Sequence, residues 1–214
     1  MVGGSYSRAY FRHYAANYYS SSEKSAEILT AGVQACPSSV LLAFALADAE
    51  EDRKDFAKCH TIYETLINRL YPEIDAMQQK VAAEVEAAKG PVVADTVLSE
   101  ERETRGEFVA ARRGKDVADL QACAGVVWVM YMRFARRAEG IKAARGVFGK
   151  ARKSPHPSWH VFEASAMMEY HANKDSAVAI RIYELGFKLF SENVDYVVRY
   201  LNFLLSINDD TSGF

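Results

Sequence analysis

Two histidines, His156 and His160, have the four-residue spacing at which a helix presents two zinc ligands on one face. Pro157 lies between them and places the pair across a junction from loop to helix. No Glu stands between them, and no neighbouring Cys or Asp completes a set of ligands. We therefore interpret them as surface histidines at a helix start and predict no metal. The other histidines occur singly in helical sequence and are interpreted in the same way: His13, His60 and His171.

Catalytic patterns are absent from the sequence. It has no GxSxG, no P-loop and no GxGxxG after a strand. The acid pairs Glu50-Glu51 and Glu100-Glu101 lack the apolar surroundings that would raise a carboxyl pKa for acid–base work. We predict a protein that is not an enzyme and that needs no cofactor.

A strongly basic stretch runs from residue 133 to residue 153, with eight Lys or Arg residues and only Glu139 as an acid. Clustered positive charge can neutralise RNA phosphates or an acidic partner. It can equally form a solvated face or pair with acids elsewhere in the chain, such as Glu163 and Glu169. The sequence leaves both interpretations open. Candidate contact residues are Arg133, Arg136, Arg137, Lys142 and Arg145.

The composition is that of a packed protein, since half of the 214 residues are apolar, a quarter are charged and the net charge is −2. No apolar run reaches the ~18 residues of a membrane span, and the N-terminal sequence lacks the apolar core of a secretory signal. The three cysteines are isolated, which makes a disulfide framework improbable. Helix-forming residues dominate, and apolar residues recur every three or four positions, so the pattern predicts an all-α fold.

Two helical patterns recur at a nearly constant stride, which is the signature of a helical-repeat protein. In the first pattern, Trp128 and Phe162 are 34 residues apart, and Phe162 and Val197 are 35 apart. In the second pattern, Ala144 and Ala179 are 35 apart. Helix pairs of this length stack into an α-solenoid. The positions predicted to pack one repeat against the next are Trp128, Tyr131, Phe134, Ala144, Phe148, Phe162, Met168, Ala179, Tyr183, Tyr200 and Phe203.

Burial in repeat packing is favoured over a ligand-stacking role for the aromatic residues of this set. One larger gap interrupts the stride, because weaker copies of both patterns precede it and both are displaced by about fifty residues. We predict repeats at 1–70, the first of them partial, an insertion at 71–123 and further repeats at 124–211, the last truncated. The insertion is expected to begin as a helix and then to be charged and mobile. Pro37, Pro72 and Pro155 are predicted to mark helix ends.

The paired patterns resemble the half-a-TPR (HAT) repeat. Within that class, "FARRAEGIK" at 134–142 and "NKDSA" at 173–177 are similar to the suppressor-of-forked family, the large scaffold subunit of cleavage stimulation factor or fungal cleavage factor IA. The resemblance covers about residues 22–70 and 124–211 and is identified with the C-terminal half of the family's HAT array. It implies a nuclear scaffold in pre-mRNA 3′-end cleavage and polyadenylation, with protein subunits of that machinery as partners and tight homodimerisation.

The last helix is expected to contribute to self-association, because no helix follows it to cover Tyr196, Tyr200, Phe203 and Leu204. Two alternatives to this scaffold remain. One is an RNA-binding repeat module that uses the basic stretch. The other is a HAT scaffold of splicing or ribosomal-RNA processing, or a TPR-like chaperone adaptor. Under the leading interpretation RNA contact is indirect.

Overall fold

A computed structural model of the chain describes residues 22–90 and 96–211, and these residues form eight α-helices and no strand. In chain order the helices are α1 Ser22–Ala35, α2 Val40–Asp52, α3 Phe56–Lys89, α4 Thr96–Ala138, α5 Ile141–Ala151, α6 Trp159–Asn173, α7 Ser176–Phe190 and α8 Val194–Thr211. The protein is therefore all-α, with short turns between most helices, as the spacing of apolar residues predicted. No described helix is both long and apolar enough to cross a bilayer.

Neighbouring helices pack together in the pairs α1 with α2, α6 with α7 and α7 with α8, and polar residues define turns between helices. Asp55 before α3 and Asp175 before α7 each accept a hydrogen bond from a backbone amide three residues on, at 3.1 and 2.9 Å. An Asp in this position caps the helix N-terminus and satisfies one of its free amides. Lys54 and Lys174, directly before these caps, have φ near +60°. The two turns are therefore built alike although 120 residues separate them.

The chain divides into two compact units. The first comprises Met1–Asn68 and Val127–Lys150, and the second comprises Arg69–Val126 and Ala151–Phe214. In the first unit, a small core forms between α1 and α2 from Ala26, Leu29, Leu42 and Leu46. Further along, the Cys59 thiol lies 3.4 Å from the Ala47 carbonyl, and burial raises the pKa of that thiol to about 11. Cys59 therefore serves as an apolar packing residue.

Within the first unit, an aromatic stack joins α3 to α4, the next helix that carries the first repeated pattern. The ring of Tyr63 on α3 lies 5.0 Å from that of Tyr131 on α4, nearly parallel at 7°, and 5.8 Å from that of Phe134. All three side chains are buried. Tyr131 also places its hydroxyl 2.7 Å from a ring nitrogen of His60, which gives this buried polar atom a partner.

The second unit contains the same stack. Tyr183 on α7 lies 5.0 Å from Tyr200 and 4.8 Å from Phe203 on α8, with rings inclined by 12° and 28°. Tyr200 and Phe203 hold the places that Tyr131 and Phe134 hold in the repeated pattern. The two units thus contain the same kind of contact. In each, a tyrosine of the second repeated pattern packs on two aromatic residues that are three positions apart on the following helix.

Most of the predicted insertion at 71–123 lies within the two longest helices. α3 continues to Lys89 and α4 begins at Thr96, so residues 71–89 and 96–123 belong to these two helices. Residues 69–89 and 96–126, which we call the arm, pair antiparallel: Arg113 bonds Glu84 at 2.8 Å, and Lys89 bonds Glu103 at 2.9 Å. The charged part of the insertion is therefore helical over the residues described. The boundaries predicted for the segments, and the mobility of this one, stay predictions.

Pro72 does not end a helix, so that part of the prediction is wrong. Pro72 lies inside α3, and the helix continues without interruption on both sides of it. Proline in a helix interior loses one backbone hydrogen bond. Beyond Pro72, α3 is held against α4 by the contacts of Glu84 with Arg113 and of Lys89 with Glu103. Pro37 and Pro155, in contrast, follow the ends of α1 and α5 as predicted.

Gly186 is required by close packing in the second unit. A Cβ added at this buried glycine would lie 2.1 Å from the Tyr196 hydroxyl oxygen and 3.1 Å from the Phe162 Cβ. We expect Gly186→Ala to lower the free energy of unfolding by about 1–3 kcal/mol, because Tyr196 must move and lose its hydrogen bond to the Tyr183 carbonyl. Urea denaturation followed by circular dichroism measures the change.

The matched control is Gly146→Ala on α5, where an added Cβ meets nothing within 4 Å. This substitution should raise the free energy of unfolding by about 0.5–1 kcal/mol through helix propensity alone. Equal effects at the two glycines would contradict the packing assigned to Gly186.

The equivalence of the two stacks predicts equal costs of disrupting them. Tyr63→Leu and Tyr183→Leu should each lower the free energy of unfolding by about 2 kcal/mol, since each removes two stacked and one tilted ring contact from a buried site. Phe148→Leu is the control, because Phe148 holds the equivalent place on α5 but is only half-buried. Its cost should be smaller in the same denaturation experiment. A large cost at only one tyrosine would show that the two sites are not equivalent.

Candidate interaction surfaces

The predicted packing positions lie mainly in the interior. Most of them are buried: Trp128, Tyr131, Phe134, Ala144, Phe162, Ala179, Tyr183 and Phe203. Three are half-buried: Phe148, Met168 and Tyr200. Buried rings leave no face on which a base or other planar ligand can stack. The surfaces that can meet a partner must therefore be sought among residues that the repeat pattern did not select.

The last helix exposes a different face from the one predicted. Tyr196 and Phe203 were expected to be open, but they are buried, with 0% and 4% of their surface exposed. The prediction for these two residues is wrong because α8 packs them back onto α7, where the Tyr196 hydroxyl donates to the Tyr183 carbonyl at 2.9 Å. Tyr200 and Leu204 are half-buried.

Four aliphatic residues form the exposed face of α8, and we call them the α8 stripe. Val194, Val198, Leu201 and Leu205 are spaced by four, three and four residues, which places them on one side of the helix. Their exposed fractions are 73, 48, 52 and 62%. Sequence reasoning missed them because it stopped at the aromatic pattern of α8. The signal was present in the sequence, since α8 is apolar on two faces.

Apolar side chains exposed side by side in this way can serve as a contact surface for another helix. Beside the α8 stripe, α7 exposes Phe187 and Leu189 at 41% and 56%. The Phe187 ring lies 6.4 Å from that of Tyr200, so it borders α8. The arrangement can bury aliphatic side chains against another helix, and it offers no group for chemistry.

Part of the basic stretch is occupied by contacts inside the protein. Arg137 forms a two-point contact with Glu51, with its closer N–O distance at 2.7 Å, and Lys150 bonds Glu64 at 2.9 Å. Hydrogen bonding to Lys150 is the main cause of the lowered pKa of Glu64. Arg136 is half-buried, with its Nε enclosed and without a hydrogen-bond partner among the described residues. Arg145 also has an interaction within the protein.

Arg133 and Lys142 are the candidates of this stretch that remain exposed and form no ion pair with any residue described by the structure. Glu163, suggested as an internal partner of the stretch, instead bonds Arg199 at 2.9 Å. The prediction that the stretch contacts RNA or an acidic partner is not tested by this geometry and stays a prediction.

The histidines differ from their interpretation as surface residues. His156 has a side chain only 11% exposed and bonds Asp75 at 2.8 Å. His160 is half-buried, and this burial lowers its pKa. His60 does not stand alone, because its second ring nitrogen lies 3.1 Å from Glu139. His171 is exposed, and His13 lies outside the described residues. Within the described ranges, no three His, Cys, Asp or Glu side chains are grouped to hold a metal ion.

Comparison with known proteins identifies the family of this chain. The family model described as suppressor of forked protein matches residues 9–213. The chain is 58% identical over 94% of its length to an mRNA 3′-end-processing protein RNA14 of Cryptococcus neoformans. It is 32% identical over 91% to the rna14 protein of Schizosaccharomyces pombe, and 34% identical over 80% to the protein suppressor of forked of Drosophila melanogaster.

The chain spans only part of these relatives, namely 21, 25 and 16% of their respective lengths. The turns that carried the resemblance, at 134–142 and 173–177, lie within the matched region. Because the family model matches nearly the whole chain and the Cryptococcus relative is 58% identical, the chain belongs to the suppressor-of-forked family.

Proposed function

We propose that this chain is part of a non-catalytic scaffold for pre-mRNA 3′-end cleavage and polyadenylation, acting in the nucleus with protein subunits of that machinery. The name of the Cryptococcus relative, which is 58% identical, is the observation that carries the proposal. The geometry supports it, because the aromatic residues are used to stack helices and the α8 stripe offers an apolar surface for association. An all-helical repeat with such a surface is suited to holding other proteins in place.

Self-association through the α8 stripe is the finer part of the proposal. Aliphatic side chains repeated at helical spacing can pack against the same stripe of a second copy, related by twofold symmetry. Phe187 and Leu189 would extend the contact from α8 to α7. Tight dimers bury large apolar areas, on the order of 2,000 Å² or more in obligate cases, so further residues must join the four of the stripe.

Leu201→Glu tests the stripe directly. We expect the unsubstituted chain to be a dimer at micromolar concentration and the variant to be a monomer, because dimerisation would bury an unpaired carboxylate in an apolar contact. Analytical ultracentrifugation measures the mass. Leu41→Glu is the matched control, since Leu41 on α2 is 54% exposed, close to the 52% of Leu201. A monomeric unsubstituted chain, or equal dissociation by both substitutions, would contradict self-association at α8.

The role in 3′-end formation is tested in the cells from which the chain comes. Depletion of the protein that contains it should increase transcripts that extend past their normal cleavage sites, as measured by RNA sequencing. The intact gene should restore cleavage, and the same gene carrying Leu41→Glu should do so equally well. Accumulation of unspliced introns or of ribosomal-RNA precursors, with normal 3′ ends, would instead support the alternative HAT scaffolds.

A further inference from the structure

One face of α4 within the arm combines three cations with an exposed aromatic ring. Arg105, Phe108, Arg112 and Lys115 are spaced by three, four and three residues, and all four are exposed. This spacing places them on one side of the helix along about 15 Å of its axis. Phe108 is 70% exposed. We call these four residues the arm face.

The opposite side of the same helix segment is held against α3. A Cβ added at the buried Gly106 would lie 2.7 Å from the Lys89 side chain, so this side chain of α3 lies directly over the glycine. Arg113 lies 2.8 Å from Glu84 on α3 and also bonds Asp116. These contacts fix the rotation of α4 about its axis. The arm face consequently points away from α3.

The cations of the arm face have no partner among the residues that the structure describes. Arg105, Arg112 and Lys115 form neither an ion pair nor a hydrogen bond through their side chains within those ranges. In the basic stretch Arg137 and Lys150 are occupied by Glu51 and Glu64, and the unpaired Arg133 and Lys142 have no exposed aromatic ring within the stretch. An unpaired cation can take up a phosphate without first giving up a carboxylate.

We propose that the arm face binds unpaired RNA, with backbone phosphates on Arg105, Arg112 and Lys115 and one base stacked on Phe108. Exposed aromatic rings between basic residues are the recurring means of holding single-stranded nucleic acid, because every base has a face that can stack. Base-paired RNA presents no free base face to the ring. Glu101 and Asp119 bound the face at either end and limit it to a short strand.

An acidic peptide is the other polyanion that these charges could attract, but the arm face suits RNA better. A peptide helix docks through several apolar anchors at helical spacing, and Phe108 is the single large apolar side chain of this face. The inference rests on the proposed function only for the presence of RNA near the protein. It concerns direct binding by the purified chain, whereas 3′-end formation is measured in cells, so each can fail without the other.

The test uses the whole chain and a short fluorescein-labelled oligouridine, with binding followed by fluorescence anisotropy between about 50 and 200 mM salt. The triple variant Arg105→Glu, Arg112→Glu and Lys115→Glu should bind at least tenfold more weakly. The slope of log affinity against log salt should fall by about 2, since three phosphate contacts are lost. Phe108→Ala should weaken binding about tenfold without changing the slope, and Phe108→Tyr should restore it.

The matched control is the variant Arg133→Glu, Lys142→Glu and Lys153→Glu in the basic stretch, which changes the net charge by the same amount. It should bind within twofold of the unsubstituted chain, and circular dichroism should show that all variants are folded. The proposal is overturned if the unsubstituted chain does not bind, if both triple variants lose affinity equally, or if only the control loses it. Equal binding to labelled polyglutamate, with no effect of Phe108→Ala, would also overturn it in favour of an acidic protein partner.

Discussion

The contact on which this architecture depends is the packing of one tyrosine against two aromatics of the next helix. Tyr63 and Tyr183 perform it in two different units, with ring separations of 5.0 Å to Tyr131 and Tyr200. Flat side chains in a near-parallel arrangement set both the distance and the rotation of the second helix, because either a shift or a twist would separate the rings. A helix pair has too little apolar surface to be stable alone, so this contact between neighbours also supplies much of the core.

This dependence explains why the sequence was so informative about the fold. A stack that recurs from repeat to repeat needs the same residue types at the same stride, and that recurrence predicted the helices and their order. The family was indicated by the resemblance of the turns at 134–142 and 173–177. The residues of the predicted insertion lie beyond the stack along α3 and α4, so they do not interrupt the contact of Tyr63 with Tyr131. The turn chemistry was equally local, since Asp55 and Asp175 cap their helices through their own neighbours.

What the sequence did not predict depends on contacts between distant residues. Pro72 is tolerated within α3 because the helix continues into a paired arm, which no local rule about proline contains. The aromatic side of α8 was expected to be open, but a neighbouring helix was available to cover it. That left the aliphatic side exposed. His156 was taken for a surface residue, but Asp75, more than eighty residues earlier, lies 2.8 Å from it. In each case the deciding partner is remote in sequence.

The charge available on the surface also depends on contacts between residues that are distant in sequence, and this affects which ligands the surface can bind. Density along the chain selected the basic stretch, where eight of 21 residues are Lys or Arg, yet two of these cations, Arg137 and Lys150, pair with acids from other helices. In the arm the net charge is negative, but Glu84 and Glu103 form ion pairs with Arg113 and Lys89 between the two helices. Among the described residues, subtracting such internal pairs leaves Arg105, Arg112 and Lys115 unpaired around one exposed ring. These unpaired charges are the ones available to an anionic ligand, because a cation already held by a carboxylate must give up that partner before it can bind another.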